Sequence, residues 1–356
     1  MMAAMANAAL LDRLGIGLPI VQAPMAGVST PAMAAAASNA GALGSLGVGA
    51  MTADQAREAI RAFKAASAGP LHVNVFTHRP ARVDPHREAA WLQRLQPEFE
   101  RFHAQPPAEL REVYTSFLVD DAMCAMLCEE RPRVVSFHFG LARTDQIVRL
   151  RGAGIVLLAT ATCLREARAI ETAGLDAIVA QGFEAGGHRG VFDPDADDAR
   201  MTTADLVRTL AQRASLPIVA AGGLMDGADI AAMLALGASA AQLGTAFVAT
   251  DESLADAGYR ARLLGEDAHH TQMTRAISGR PARCLRNDFT RLGDDVAPDA
   301  IPDYPIAYDA GKALHAAAKA AGSSGWGAQW AGEGAPRVRP MSTQRLVQTL
   351  AAELGH

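Results

Sequence analysis

The sequence predicts an α/β fold, a TIM (β/α)8 barrel with a helical and loop cap, and three observations carry that prediction. Eight short apolar runs ending in Gly or polar residues recur along the chain. Segments with helical periodicity separate them, the mark of parallel β/α units. The GxGxxG turn that a doubly wound sheet places after its first strand is missing; "GSLGVGA" (44–50) has glycines, but at another spacing and after the second run.

The runs read in order "PIVQAPM" (19–25), "ALGSLGV" (42–48), "LHVNVF" (71–76), "VVSFHF" (134–139), "IVLLATA" (155–161), "DAIVAQG" (176–182), "PIVAAGG" (217–223) and "AAQLGTAFV" (240–248). Amphipathic helices such as "CLREARAIETAG", "TADLVRTLAQRAS" and "DGADIAAMLALGA" lie between them, each stopping at or near Gly or Ser. Residues 1–250 are therefore the expected barrel, with 77–131 as a helical insertion that includes "AELREVYTSFLVDDAMCAMLCEE". Residues 251–340, rich in Gly, Pro and Arg, are the expected cap over the barrel mouth. Residues 341–356 carry "TQRLVQTLAAEL", a helix returning to the barrel after that excursion.

The chain has 356 residues, half of them hydrophobic and 5% aromatic, so the core is one of Ala, Leu, Val and Ile. The formal net charge of -5, with acids and bases scattered, argues against nucleic acid or an anionic membrane as partner. Cys124, Cys128, Cys163 and Cys284 suggest no disulfide framework and no zinc motif, and Cys124 and Cys128 read as core thiols. The opening "MMAAMANAALLDRLG" lacks the basic start of a secretion signal, and no uncharged apolar stretch has bilayer length. A soluble, cytoplasmic protein without a metal site is the expectation.

In such barrels chemistry lies at the C-terminal ends of the strands, and a phosphate often sits after strands seven and eight. Strand seven ends in "AAGG" (220–223) and strand eight carries "QLGT" (242–245). The N–H groups of Gly222, Gly223, Gly244 and Thr245, with the Thr245 hydroxyl, would cradle a phosphate. The competing reading is tight packing of strand against helix. Other polar residues at strand ends are Gln22, Asn74, His138 and Gln181, with Met25 closing the first run. A buried amide must find partners, so Asn74 and Gln181 meet either neighbouring loops or the edge of a bound ligand.

"GFEAGGHRG" (182–190) directly follows strand six and lines the barrel mouth. Gly186 and Gly187 permit close approach to a ligand or a positive φ. His188, expected to titrate near neutrality, suits removal of a carbon-bound proton; the alternative is a histidine capping a turn. Arg189 is expected to hold a loop. His138 is the second histidine of interest, as a substrate-site residue or a buried histidine bonded to a carbonyl.

These residues carry a resemblance. "PIVQAPMAGVS", "VNVF", "SFHFG", "AQGFEAGGHRG", "PIVAAGGLMDG", "ALGASAAQLGTAF" and "SGRPAR" resemble the nitronate monooxygenase family, in order from Pro19 to about Arg283. "GWGAQWAGEGA" (325–335) resembles its C-terminal segment more loosely. The resemblance implies a TIM barrel with non-covalent FMN that oxidises alkyl nitronates, such as propionate 3-nitronate, and nitroalkanes with O2. The products would be a carbonyl compound and nitrogen oxides, a detoxifying reaction. It implies that Asn74, Gln181, Gly186, Gly222, Gly223, Gln242, Leu243, Gly244 and Thr245 bind FMN together with Gln22, Ala23, Pro24 and Met25. His188 would be the catalytic base and His138 a substrate-binding residue. The expected partners are a nitronate and O2, and a homodimer is admissible. A flavin-dependent enoyl-ACP reductase, an NADH:quinone reductase and a non-catalytic FMN-binding barrel are the alternatives; the "HFG" and "GGHRG" pair favours the nitronate branch.

Overall fold

The computed structural model describes residues 9–355. Residues 1–8, which begin the stretch inspected for a secretion signal, and His356 lie outside the described residues. The eight barrel strands are Ile20–Gln22, Gly44–Gly47, Leu71–Phe76, Val134–His138, Val156–Ala161, Ala177–Gln181, Ile218–Ala221 and Ala240–Leu243. Each pairs in parallel with its neighbours in chain order, and the first pairs with the eighth through Val21 opposite Gln242. A parallel bridge from Val21 to Leu43 joins the first and second strands and closes the barrel.

Helices surround the sheet because each offers one apolar stripe to it. Thr203–Arg213 begins at Thr202, whose hydroxyl accepts from Asp205 N–H, and buries Leu206, Val207 and Leu210. The C-terminal helix Thr343–Leu354 puts Leu346, Val347 and Leu350 into the same core as Met33 and Ile230. It thus packs with Pro31–Asn39 and Gly227–Ala235 as a barrel helix, although the chain reaches it only after the cap. Residues 9–14 are helical, and Leu10 and Leu14 cluster with Val134, Val156 and Val179. None of the described helices is long and apolar enough to cross a membrane.

Two expectations change in detail. Strand eight stops at Leu243, and Thr245–Val248 turns into a short helix instead of continuing the strand. The helical pattern at 108–130 becomes a helix only over Asp121–Glu130, capped by Asp120 on Met123 N–H. Residues 108–120 stay irregular because tertiary bonds claim them: Phe117 N–H donates to Phe76 O, and Ser116 Oγ donates to His78 O. The rest of the insertion, Pro85–Arg101, shares a second core with the segment after strand eight. In it Trp91, Leu95 and Phe99 pack with Ile306, Ala310 and Leu314 of the helix Ile306–Ala320, so both excursions share one core.

Candidate active site

A cavity of about 360 Å³ opens at the C-terminal ends of the strands, and residues of both excursions help to line it. Ala23, Pro24 and Met25 line it after strand one, Asn74 on strand three and His138 on strand four. Gln181, Gly186 and His188 reach it from strand six and the loop beyond, and Gly222, Gly223, Gln242, Gly244 and Thr245 from strands seven and eight. Gln22 and Leu243 do not line it. Side chains alternate across a strand: Val21 packs among residues of the barrel interior, so Gln22 faces the other way. Its Nε2 donates to Ser29 Oγ (2.9 Å) and its Oε1 accepts from Ser45 N–H (2.8 Å), bracing the loop that carries Ala23 to Met25. Leu243 is likewise turned away from Gln242 and lies in the core under the helices.

The glycines divide by reason. Gly222 and Gly223 have φ of 123° and 72°, conformations that side chains resist. A Cβ on Gly186 would fall 2.4 Å from Gly332 N, so this glycine serves the close passage of two loops. Gly187, at φ 76°, makes the bend that turns His188 inward. A Cβ on Gly244 would meet nothing nearer than Ala23 Cβ at 3.5 Å, so packing does not require this glycine. None of the N–H groups of Gly222, Gly223, Gly244 and Thr245 donates to a protein acceptor among the described residues. Thr245 Oγ1 accepts from Gly332 N–H at 2.9 Å, which leaves its hydrogen to donate. Four free N–H groups and a hydroxyl converge at one end of the cavity, a donor set suited to a phosphate dianion.

Asn74 Nδ2 donates to Ser136 Oγ (2.7 Å), and its Oδ1 has no protein partner among the described residues. Behind it runs a buried chain: Ser136 Oγ to His72 Nε2 at 2.7 Å, and His72 Nδ1 to Ser45 Oγ at 2.9 Å. Burial pushes His72 down to about 3, so the chain holds a neutral imidazole and fixes the Asn74 amide. Gln181 is mostly committed to protein: Nε2 donates to His188 O (2.9 Å) and Oε1 accepts from Gly190 N–H (2.7 Å). Arg189 is buried, pairs with Asp198 at 2.8 Å, and donates to Gln181 O and Gly182 O. It holds the loop, while Gln242, at the cavity, keeps a side chain free of protein partners among the described residues.

His188 sits on a two-residue strand, Gly187–His188, paired antiparallel with Ala282 and Arg283 of the strand Ala282–Leu285. That strand pairs in turn with Thr271–Thr274, so the segment after strand eight sets the position of His188. Phe139, Tyr304 and Trp330 surround its ring, with centroids 5.6, 5.4 and 5.0 Å away. Burial in this aromatic surround pushes its pKa well below the usual value, and His138, Arg280 and His78 add to the effect. The expectation of titration near neutrality is corrected accordingly: desolvation dominates. His138 also lies at the cavity, lowered to about 4 chiefly by burial. Both its ring nitrogens meet protein, Nδ1 facing Thr160 Oγ1 (2.9 Å) and Nε2 facing His188 O (3.2 Å).

The roof comes from residues the sequence pattern did not single out. The chain has four tyrosines, and Tyr114, Tyr259, Tyr304 and Tyr308 all line the cavity, with Trp330 and Lys312. Burial raises the pKa of each of the four, so they stay neutral hydroxyls. Lys312 stands over the Tyr114 ring at 4.5 Å and the Tyr308 ring at 5.6 Å. It has no ion pair among the described residues and is the one lysine of the lining. Scarcity was the available signal: tyrosines that rare, placed in excursions from the barrel, invite a role at the mouth.

Comparison with known proteins identifies the family. The family model described as nitronate monooxygenase matches residues 7–353. A nitronate monooxygenase of Paraburkholderia phytofirmans is 60% identical over 97% of this chain and 94% of its own length. One from Pseudomonas aeruginosa is 52% identical, covering 96% of this chain and 97% of its own. Among solved structures, a nitroalkane oxidase from Streptomyces ansochromogenes superposes with a TM-score of 0.89 at 42% identity, over 98% of each chain. FabK from Thermotoga maritima superposes with a TM-score of 0.75 at 29% identity, over 98% of this chain and 96% of that one.

Proposed function

This chain belongs to the nitronate monooxygenase family, and from that premise we propose how its own residues divide the work. It is an FMN-dependent oxidoreductase that acts on nitronates and nitroalkanes. The residues present fit FMN: the free N–H groups of Gly222, Gly223, Gly244 and Thr245 suit its phosphate, and the open Oδ1 of Asn74 offers an acceptor to a ring N–H. Bound there, FMN would supply the redox chemistry, the transfer of electrons between a nitronate and O2. Ala23 to Met25, Gln242 and the remaining N–H of Gln181 complete the walls against the ring.

The single observation that carries the substrate reading is His188 facing the cavity, ringed by Phe139, Tyr304 and Trp330 beneath a roof of tyrosines. A neutral imidazole can take the proton next to a nitro group, converting a nitroalkane into its nitronate. His138 holds the carbonyl of His188 and borders the substrate space. The tyrosine hydroxyls of the roof supply hydrogen bonds rather than charge. Lys312 puts a positive charge at the cavity, which favours anionic substrates and, among nitronates, those with a second anionic group such as a carboxylate.

The test is direct. Yellow, purified protein is mixed with an alkyl nitronate, and oxygen uptake is followed with no reduced nicotinamide present. Uptake with formation of a carbonyl product is expected. Rapid NADH oxidation, with no nitronate-driven uptake across several chain lengths, would move the assignment to a reductase.

A further inference from the structure

Behind the cavity wall lies a buried charge without a counter-charge. Arg280 is 3% exposed, in the turn that leads into Ala282–Leu285. Its neighbours Arg275 and Arg283 pair with Asp195 and Glu333, whereas no carboxylate pairs with Arg280 among the described residues. One guanidinium nitrogen donates to Val191 O, and Nε has no partner among the described residues. The acid nearest in influence is Glu166, whose two oxygens already accept from Thr162 and from Phe192 N–H.

What the guanidinium does meet is a ring. It stacks over Phe139 at 4.2 Å, and Phe139 meets the His188 ring almost perpendicularly, at 89°. Phe139 holds φ 80°, a conformation a bulky residue adopts only when its surroundings impose it. Arg280 is also tied to His188 through Ser278, whose Oγ contacts the backbone of Arg280 and lies 2.8 Å from His188 Nε2.

We propose that Arg280 is a positioning residue for proton abstraction: its unpaired charge, held against Phe139, keeps His188 in the neutral form that accepts a proton. This rests on the reading of His188 as the base. The groups that face His188 are His138 from strand four, His78 beyond strand three, Tyr304 and Tyr308 from the cap, Arg280 from its turn, and Lys312 across the cavity. Burial holds His138 and His78 neutral, at about 4 and about 3, and the tyrosines neutral as well. Arg280, lowered to about 10 by burial, keeps its charge at neutral pH. It is therefore the lasting cation packed on this side of the base, and a nearby cation disfavours imidazolium.

The experiment compares Arg280→Met and Arg280→Lys with wild type, all as FMN-loaded protein. Histidine-labelled samples report the His188 ring by NMR across pH, its signal assigned by loss in His188→Asn. The pH profile of nitroalkane kcat/KM is measured alongside. In Arg280→Met the ring titration and the acid limb of nitroalkane turnover should move together to higher pH. Turnover on that limb should fall about fivefold or more relative to the plateau, with nitronate-driven uptake unchanged. Arg280→Lys, which keeps the charge, should stay close to wild type. An unmoved titration in Arg280→Met, or an Arg280→Lys that behaves like it, overturns the proposal. Should neither variant fold, the wild type still decides: a His188 ring titrating at or above the ordinary histidine value overturns it. Failure of nitronate oxidation in the wild type would sink the functional reading instead, because the NMR titration needs no turnover.

Discussion

His188 Nε2 lies 2.8 Å from Ser278 Oγ. The Ser278 hydroxyl also reaches Arg280 O at 3.3 Å, so it can donate there while accepting from His188 Nε2–H. In that tautomer Nδ1, which has no protein partner among the described residues, is the basic nitrogen. Ser278→Ala should release the ring from that tautomer. Loss of one such bond corresponds to about 2–10-fold, and it should appear in nitroalkane kcat/KM while nitronate turnover stays near wild type. Equal losses on both substrates would show that Ser278 serves folding alone.

The two histidines separate by substrate form. His188→Asn cannot accept the proton, so turnover of a neutral nitroalkane should drop by about 10²–10⁴-fold, and that of the preformed nitronate far less. His138→Asn disturbs the anchor of the His188 carbonyl and the border of the substrate space, so it should weaken both forms alike. Steady-state kinetics of one compound in its neutral and anionic forms decides this, and a selective nitroalkane loss in His138→Asn would exchange the roles.

At the phosphate end, size and charge can be told apart at one position. Gly244 has φ -108°, and a methyl group there would meet Ala23 Cβ at 3.5 Å and Met25 Sδ at 3.7 Å, ordinary contact distances, so Gly244→Ala should keep much of its flavin. Gly244→Asp and Gly223→Asp place a carboxylate among the four free N–H groups and should yield protein without flavin. Flavin absorbance per mole of purified, folded protein is the measurement. Full flavin in both Asp variants would remove the phosphate from this site.

Lys312 predicts a preference rather than a requirement. Its side chain is largely open to solvent, which limits the interaction. Lys312→Met should raise KM for a carboxylate-bearing nitronate about two- to fivefold and leave an uncharged alkyl chain on the nitronate nearly unaffected. An equal change for both would detach Lys312 from substrate choice.

Buried histidines also tie stability to pH. The folded-state pKa of His72 is lowered to about 3 by burial, so the folded form binds fewer protons than the unfolded chain below the ordinary histidine value. Its contribution is present above about pH 6.5 and is lost as pH falls towards 3. The slope is roughly 1.4 kcal/mol for each pH unit in that window. His72→Gln, which can still bond to Ser45 and Ser136, should lose less stability between neutral and mildly acid pH. Urea midpoints at several pH values check this, and parallel curves for the two proteins would contradict it.

The barrel was legible in the sequence because its signals are local. The run "IVLLATA" falls on Val156–Ala161 within a residue, since a strand buried on both faces needs a near-continuous apolar run, and "LHVNVF" falls on Leu71–Phe76, its alternate residues Leu71, Val73 and Val75 in the core under the helices. The glycines at 222, 223 and 244 could be read for the same reason: short stretches of backbone set them, at strand ends that the fold class already locates. Alternation along a strand was the finer local rule that Gln22 and Leu243 obey and that a run of adjacent site residues overlooks.

The chemistry of the cavity was decided by tertiary structure. Whether His188 is neutral depends on desolvation by Phe139, Tyr304 and Trp330, which lie far apart in the chain and meet only in the fold. Gln181 and Gln242 are the same residue type at the ends of two strands, yet one braces a loop and the other stays open to the cavity, because only Gln181 has His188 O and Gly190 N–H within reach. Tyr114 sits in a segment with a helical pattern, kept irregular by bonds to Phe76 and His78. Periodicity records what a segment prefers alone; solvent exclusion and long-range hydrogen bonds are properties of groups brought together, and no single stretch of sequence carries them.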